Sequence, residues 1–110
     1  MALDPSIANH PGIVDYRSQL ERNPDNHGLR LAMARMLGQL GALDAALSEY
    51  KNLIKRGELL EPITEDVQDM IENNDEPHLL QRLHRTLGDA YSKQLRWREA
   101  MEEYSWVLGS

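Results

Sequence analysis

Apolar residues recur at helical spacing in six stretches of the chain, and no stretch alternates at period two. Ile13, Tyr16 and Leu20 fall at i, i+3, i+7, one face of a helix. Leu29, Met33, Met36, Leu37 and Leu40 form a second stripe, and Leu43, Ala46, Leu47, Tyr50, Leu53 and Ile54 a third. Ile63, Val67, Met70 and Ile71 make a fourth; Leu80, Leu83, Leu87, Ala90 and Tyr91 a fifth; Trp97, Ala100, Met101, Tyr104, Val107 and Leu108 a sixth. The punctuation between them is equally regular. Pro11 suits a first helical turn, where its missing N–H is no loss. Asn23-Pro24-Asp25-Asn26 ends one helix and caps the next. Gly41 and Gly57 permit left-handed stops. Pro62 is tolerable only in a first turn, and Asn73-Asn74-Asp75-Glu76-Pro77 closes one helix and opens another. The pattern predicts helices over about 11–22, 27–39, 43–56, 61–73, 78–94 and 97–108, with residues 1–9 a flexible terminus and 10–110 a single domain.

The stripes are not independent. Ala34 and Gly88, Leu37 and Tyr91, Gly41 and Leu95, Leu43 and Trp97, Ala46 and Ala100, and Tyr50 and Tyr104 are all separated by one and the same offset. That many matches at a single offset mark an internal repeat. The first and fourth helices need a small gap to align Leu20-Glu21 with Ile71-Glu72. The repeating unit is three helices, used twice.

The better-preserved copy reads His84-x-x-Leu87-Gly88-x-x-Tyr91, then Ala100-x-x-x-Tyr104. This resembles a tetratricopeptide repeat. The earlier copy has Arg30, Met33, Ala34, Leu37, Ala46 and Tyr50 in the same places. The resemblance implies helical hairpins packed through Ala34, Leu37, Ala46, Tyr50, Leu87, Gly88, Tyr91, Ala100 and Tyr104. Two departures stand out. His84 and Arg30 occupy positions where the family often has Trp. An extra acidic helix, Glu61 to Asn73, lengthens the repeat from the family's two helices to three. The fold expected is all-α, six antiparallel helices arranged as such hairpins in a short right-handed solenoid, with an irregular helical bundle as the alternative.

The resemblance also implies where a partner would dock, on the first helix of each hairpin, opposite its apolar stripe. Those positions are Arg82, Arg85, Asp89, Ser92 and Lys93 in the later copy, and Gly28, Leu31, Arg35, Gly38 and Gln39 in the earlier one. The partner-binding set expected is Leu31, Arg35, Gln39, Arg82, Arg85, Asp89 and Lys93. The family's Lys and Asn clamp for a free C-terminus is absent. Arginine suits bidentate carboxylate contacts, so the expected ligand is an acidic peptide or partner segment.

Composition narrows the alternatives. The chain has 110 residues, 41% hydrophobic and 27% charged, within the range of a soluble globular protein. Without Cys or Phe, the core is aliphatic, and disulfides, thiolate metal sites and a Cys nucleophile are excluded. A net charge of -6 argues against nucleic acid as a general partner. The stretch MALDPSIANHPG has neither the basic nor the apolar region of a signal peptide, no run is long enough for a membrane span, and a cytoplasmic home is expected. Among His10, His27, His78 and His84 no pair has the spacing of a helical metal motif. Adjacent acids such as Glu65-Asp66 diverge on a helix, and no serine has the context of a nucleophile elbow. A non-catalytic interaction scaffold without metal or cofactor is therefore expected. Self-association as a homo-oligomer, or a role as a packing module of a larger protein, is the second class. A small-molecule site or enzyme is the third.

Overall fold

The computed structural model describes residues 3–109, which form seven helices and no strand. These are α1 (Pro5–Ala8), α2 (Pro11–Arg22), α3 (His27–Gln39), α4 (Leu43–Arg56), α5 (Leu60–Glu72), α6 (Pro77–Lys93) and α7 (Trp97–Gly109). None is long and apolar enough to cross a membrane. The chain divides into two compact units, one ending at Lys55 and the other beginning at Arg56. Each contains three long helices.

Four helix starts carry a side-chain cap, those of α1, α2, α3 and α6, whereas α5 begins after a left-handed Leu59 with none. The His10 ring accepts from the Gly12 N–H at 3.1 Å and caps α2 ahead of Pro11. Asn26 caps α3 through the Leu29 N–H at 3.1 Å. Glu76, and not one of the neighbouring Asn or Asp residues, caps α6: its carboxylate takes the His78 and Leu79 N–H groups at 3.0 and 2.6 Å. That satisfies donors with no partner inside the helix. The seventh helix, one more than the sequence pattern predicts, is α1, which lies where that pattern suggests only a loose terminus. Asp4 accepts from the Ser6 N–H at 2.8 Å, with Pro5 in the first helical position. One turn is too short to leave an apolar period, so Asp4-Pro5 is its only trace in the sequence.

In the first unit Ile13, Leu20, Leu31, Met33, Ala34, Leu37, Ala46, Leu47, Tyr50, Leu53 and Ile54 are buried. A Cβ on Gly12 would stand 2.6 Å from the Met36 sulfur, so α2 and α3 approach closely there. In the second unit the buried apolar residues are Ile63, Val67, Leu83, Leu87, Ala90, Tyr91 and Ala100. Thr64 and Thr86 join them without a loss in hydrogen bonding, because each hydroxyl donates to the carbonyl one helical turn back at 2.8 Å.

The repeat is visible in backbone detail. Ala42 N–H donates to Leu37 O at 2.9 Å, and at the equivalent place in the second copy Arg96 N–H donates to Tyr91 O at 2.9 Å. Gly41 N–H to Gly38 O (3.1 Å) has its counterpart in Leu95 N–H to Ser92 O (3.0 Å). Both turns pass through a left-handed residue, Gly41 at φ 84° and Leu95 at φ 61°. The gap between the remaining helices is one helical turn: α6 has 17 residues where α3 has 13. The extra turn lies at the start of α6, since α3 and α6 end at equivalent repeat positions, Gln39 and Lys93.

Leu95 carries strain that Gly41 does not, since a side chain in this region disfavours the backbone by about 1–2 kcal/mol. Leu95 is 70% exposed, so its side chain contributes little burial in return. Leu95→Gly is expected to raise stability by about 0.5–1 kcal/mol, after allowing for the greater entropy of glycine in the unfolded chain. Urea melts at low protein concentration check this.

The expectation for three residues of the sixth stripe is corrected. Trp97, Met101 and Leu108 do not enter a core; they are 59%, 67% and 87% exposed. Helix α7 instead meets α6 through Ala100, Glu103 and Tyr104, and through Trp106, whose ring stacks on His84 at 3.9 Å.

Candidate functional site

The second unit places its polar chemistry along α6 and on the side of α7 that meets it. Gly88 is buried, and a Cβ there would stand 2.6 Å from Tyr104 Cε1. The missing side chain lets the Tyr104 ring cross α6. Its hydroxyl then reaches Asp89, donating at 2.5 Å, and lies 3.3 Å from Ser92 Oγ. One turn further, Tyr91 is buried and accepts from Gln68 at 2.6 Å. The Arg96 guanidinium sits 4.6 Å over the Tyr91 ring, a cation–π arrangement. Gln94 closes the end of the helix by donating to Thr64 Oγ1 at 2.9 Å and to Ala90 O at 3.1 Å.

A second pairing recurs between the copies. Arg30 donates to Glu49 at 2.7 Å; at the equivalent positions of the second copy, His84 Nδ1 stands 3.0 Å from Glu103. Both pairs are largely withdrawn from solvent. Arg30 thus ties α3 to α4, and His84 ties α6 to α7, each through a glutamate on the following helix. In the later copy Trp106 covers the imidazole. Neither glutamate stands out in the sequence, although both lie at the same offset as the other matches.

The expected partner-binding residues separate into two groups. Arg82, Arg85 and Lys93 are exposed on one face of α6, and Arg35 and Gln39 are exposed on α3. Arg85 and Lys93 carry no hydrogen bond or ion pair among the described residues. Leu31 is buried at 7% exposure and belongs to packing, because an apolar side chain was available to the core from that position. Asp89 is committed to Tyr104 and does not offer a free carboxylate. Its carboxylate still lies between Arg85 and Lys93, so on this face the three cations outnumber one acid. Of the expected packing residues, Ala34, Leu37, Ala46, Tyr50, Leu87, Gly88, Tyr91 and Ala100 are buried and Tyr104 is half-buried. Among the described residues no group of three or more His, Asp or Glu side chains could hold a metal ion.

Burial raises the Tyr104 phenol above its ordinary value of 10.0, and its bond to Asp89 raises it further. Burial likewise raises Tyr91. The sign of the effect on stability follows. Below about pH 10 the folded and unfolded phenols both keep their protons, and the full contribution is present. Above that pH the unfolded phenol ionises first, so stability falls as pH rises through the folded-state values. Tyr104→Phe removes one of the two contributions. It is expected to lower stability at neutral pH by about 1 kcal/mol and to flatten the decline between about pH 9 and pH 11, measured by denaturant melts across that range.

No family model, curated protein or solved structure matches the chain.

Proposed function

We propose that the chain is a protein-interaction module built from two tetratricopeptide-like hairpins, α3–α4 and α6–α7, and that it binds an acidic peptide segment along the exposed face of α6. The observation that carries this is the cation row itself. Arg82, Arg85 and Lys93 project from a helix whose opposite side is held by Leu83, Leu87 and Tyr91. Of these, Arg85 and Lys93 carry no hydrogen bond or ion pair among the described residues, in a chain of net charge -6.

The hairpin assignment is supported by the turn hydrogen bonds and the half-buried basic–glutamate pairs that recur at equivalent places in the two copies. The choice of ligand is supported by chemistry. Exposed guanidinium groups make paired hydrogen bonds to carboxylates, whereas a second basic surface would be repelled. Arg35 on α3 gives the first hairpin a weaker version of the same face.

The test is a fluorescence anisotropy titration with labelled Glu- and Asp-rich peptides at low ionic strength. Binding is expected to weaken as salt is raised, because exposed charge pairs are screened over about 10 Å at about 0.1 M. Replacing Arg82, Arg85 and Lys93 together by Ala is expected to reduce affinity at least about tenfold, a change of about 1.4 kcal/mol. An unchanged affinity in that variant would show that α6 is not the binding face.

A further inference from the structure

Among the described residues six large apolar side chains are exposed, and five of them, Leu95, Trp97, Met101, Trp106 and Leu108, belong to α7 or the turn before it. Trp97, Met101 and Leu108 follow one another at i, i+4, i+11, on a single stripe of the helix. The same positions in the first copy are Leu43, Leu47 and Ile54, and of these Leu47 and Ile54 are 0% and 4% exposed. The repeat therefore builds this face to be covered, and the second copy leaves it bare. A contiguous exposed apolar stripe of this kind marks an interaction surface.

We propose that the outer face of α7 is a self-association surface, on which a second copy of the chain lays its own α7 antiparallel. Two observations select that occupant. Val14 is the only exposed large apolar side chain outside this region among the described residues, so the one apolar surface a second copy can offer is the same face. Pairing a patch with itself requires two-fold symmetry. The charges fit that symmetry too. Arg98 and Glu102 are exposed one turn apart on the same flank of the stripe. In an antiparallel pair each arginine faces the other copy's glutamate, and two chains of net charge -6 meet at a locally balanced edge. An axis at Met101 sets Trp97 level with the small Ser105 of the second copy and Leu108 nearly level with its Leu95. Arg98 and the second copy's Glu102 are then offset along the axis by about 3 Å, within reach of both side chains. The stripe is only about 16 Å long, which fits a weak, concentration-dependent dimer and not an obligate one.

The experiment is sedimentation equilibrium of the whole chain from about 10 µM to about 1 mM, a range that brackets weak association. A monomer–dimer equilibrium is expected. Met101→Glu should weaken it at least about tenfold, with the helical circular dichroism unchanged. Arg98→Glu and Glu102→Arg should each weaken the dimer, and the two together should restore it. A chain that stays monomeric over the whole range overturns the proposal. So does a dimer that Met101→Glu leaves intact, or a double charge variant no tighter than the single ones. Acidic-peptide binding on α6 is read separately, so the two proposals fail separately.

Discussion

Replacing Gly88 by leucine is expected to destabilise the second hairpin by about 3 kcal/mol, the upper part of the usual range for overpacking. Even the first added carbon would stand 2.6 Å from Tyr104 Cε1 and 2.9 Å from Cδ1. The ring cannot swing away freely, because its hydroxyl donates to Asp89 and lies beside Ser92. Accommodating the side chain means breaking those bonds, which strands a partly buried phenol, or separating α6 from α7. Alanine at the same position gains up to about 1 kcal/mol of helix propensity over glycine and meets the same ring, so a smaller net loss is expected. Urea melts measure both variants. Combining Gly88→Leu with Tyr104→Ala should recover part of the loss. Wild-type stability in Gly88→Leu would show that α6 and α7 do not cross at this point.

The second large effect is an asymmetry between the copies. Leu47 and Met101 occupy the same repeat position, yet one is fully buried and the other 67% exposed. Leu47→Ala is expected to cost about 3 kcal/mol, through lost burial and the cavity left behind. Met101→Ala, at concentrations where the chain is monomeric, should change stability by no more than about 0.5 kcal/mol. Paired denaturant melts provide the comparison. Similar losses in both variants would mean that the stripe on α7 is already covered within one chain.

That asymmetry marks where the sequence stops being readable. Periodicity places Trp97, Met101 and Leu108 on one face of a helix, but a face looks the same in sequence whether or not something lies over it. Most helix boundaries are legible because they rest on a local device, such as Pro11, Asn26, Gly41 or Pro77, that acts over a short span of chain. The repeat offset is legible for the same reason: turns and close crossings constrain residue type wherever they occur. Leu95 shows the limit of that rule, since the backbone adopts the left-handed turn of Gly41 without the glycine. The α6 face is partly legible. Spacing puts Arg82, Arg85, Asp89 and Lys93 together, but only the position of Tyr104 reveals that Asp89 belongs to the hairpin's interior bonding. Leu31 is misplaced by the same reasoning, because counting turns assigns a direction and says nothing of what waits there.

Whether the cationic face of α6 takes an acidic segment is the question on which the functional reading turns. A nitrogen–proton NMR titration of the whole chain with a Glu-rich peptide tests it most directly, at a concentration low enough to keep the chain monomeric. Shifts are expected to concentrate on the amides of α6 around Arg82, Arg85 and Lys93, with the Trp97 indole unmoved. Shifts centred on the outer face of α7, or on α2 and α5 with α6 silent, would contradict it.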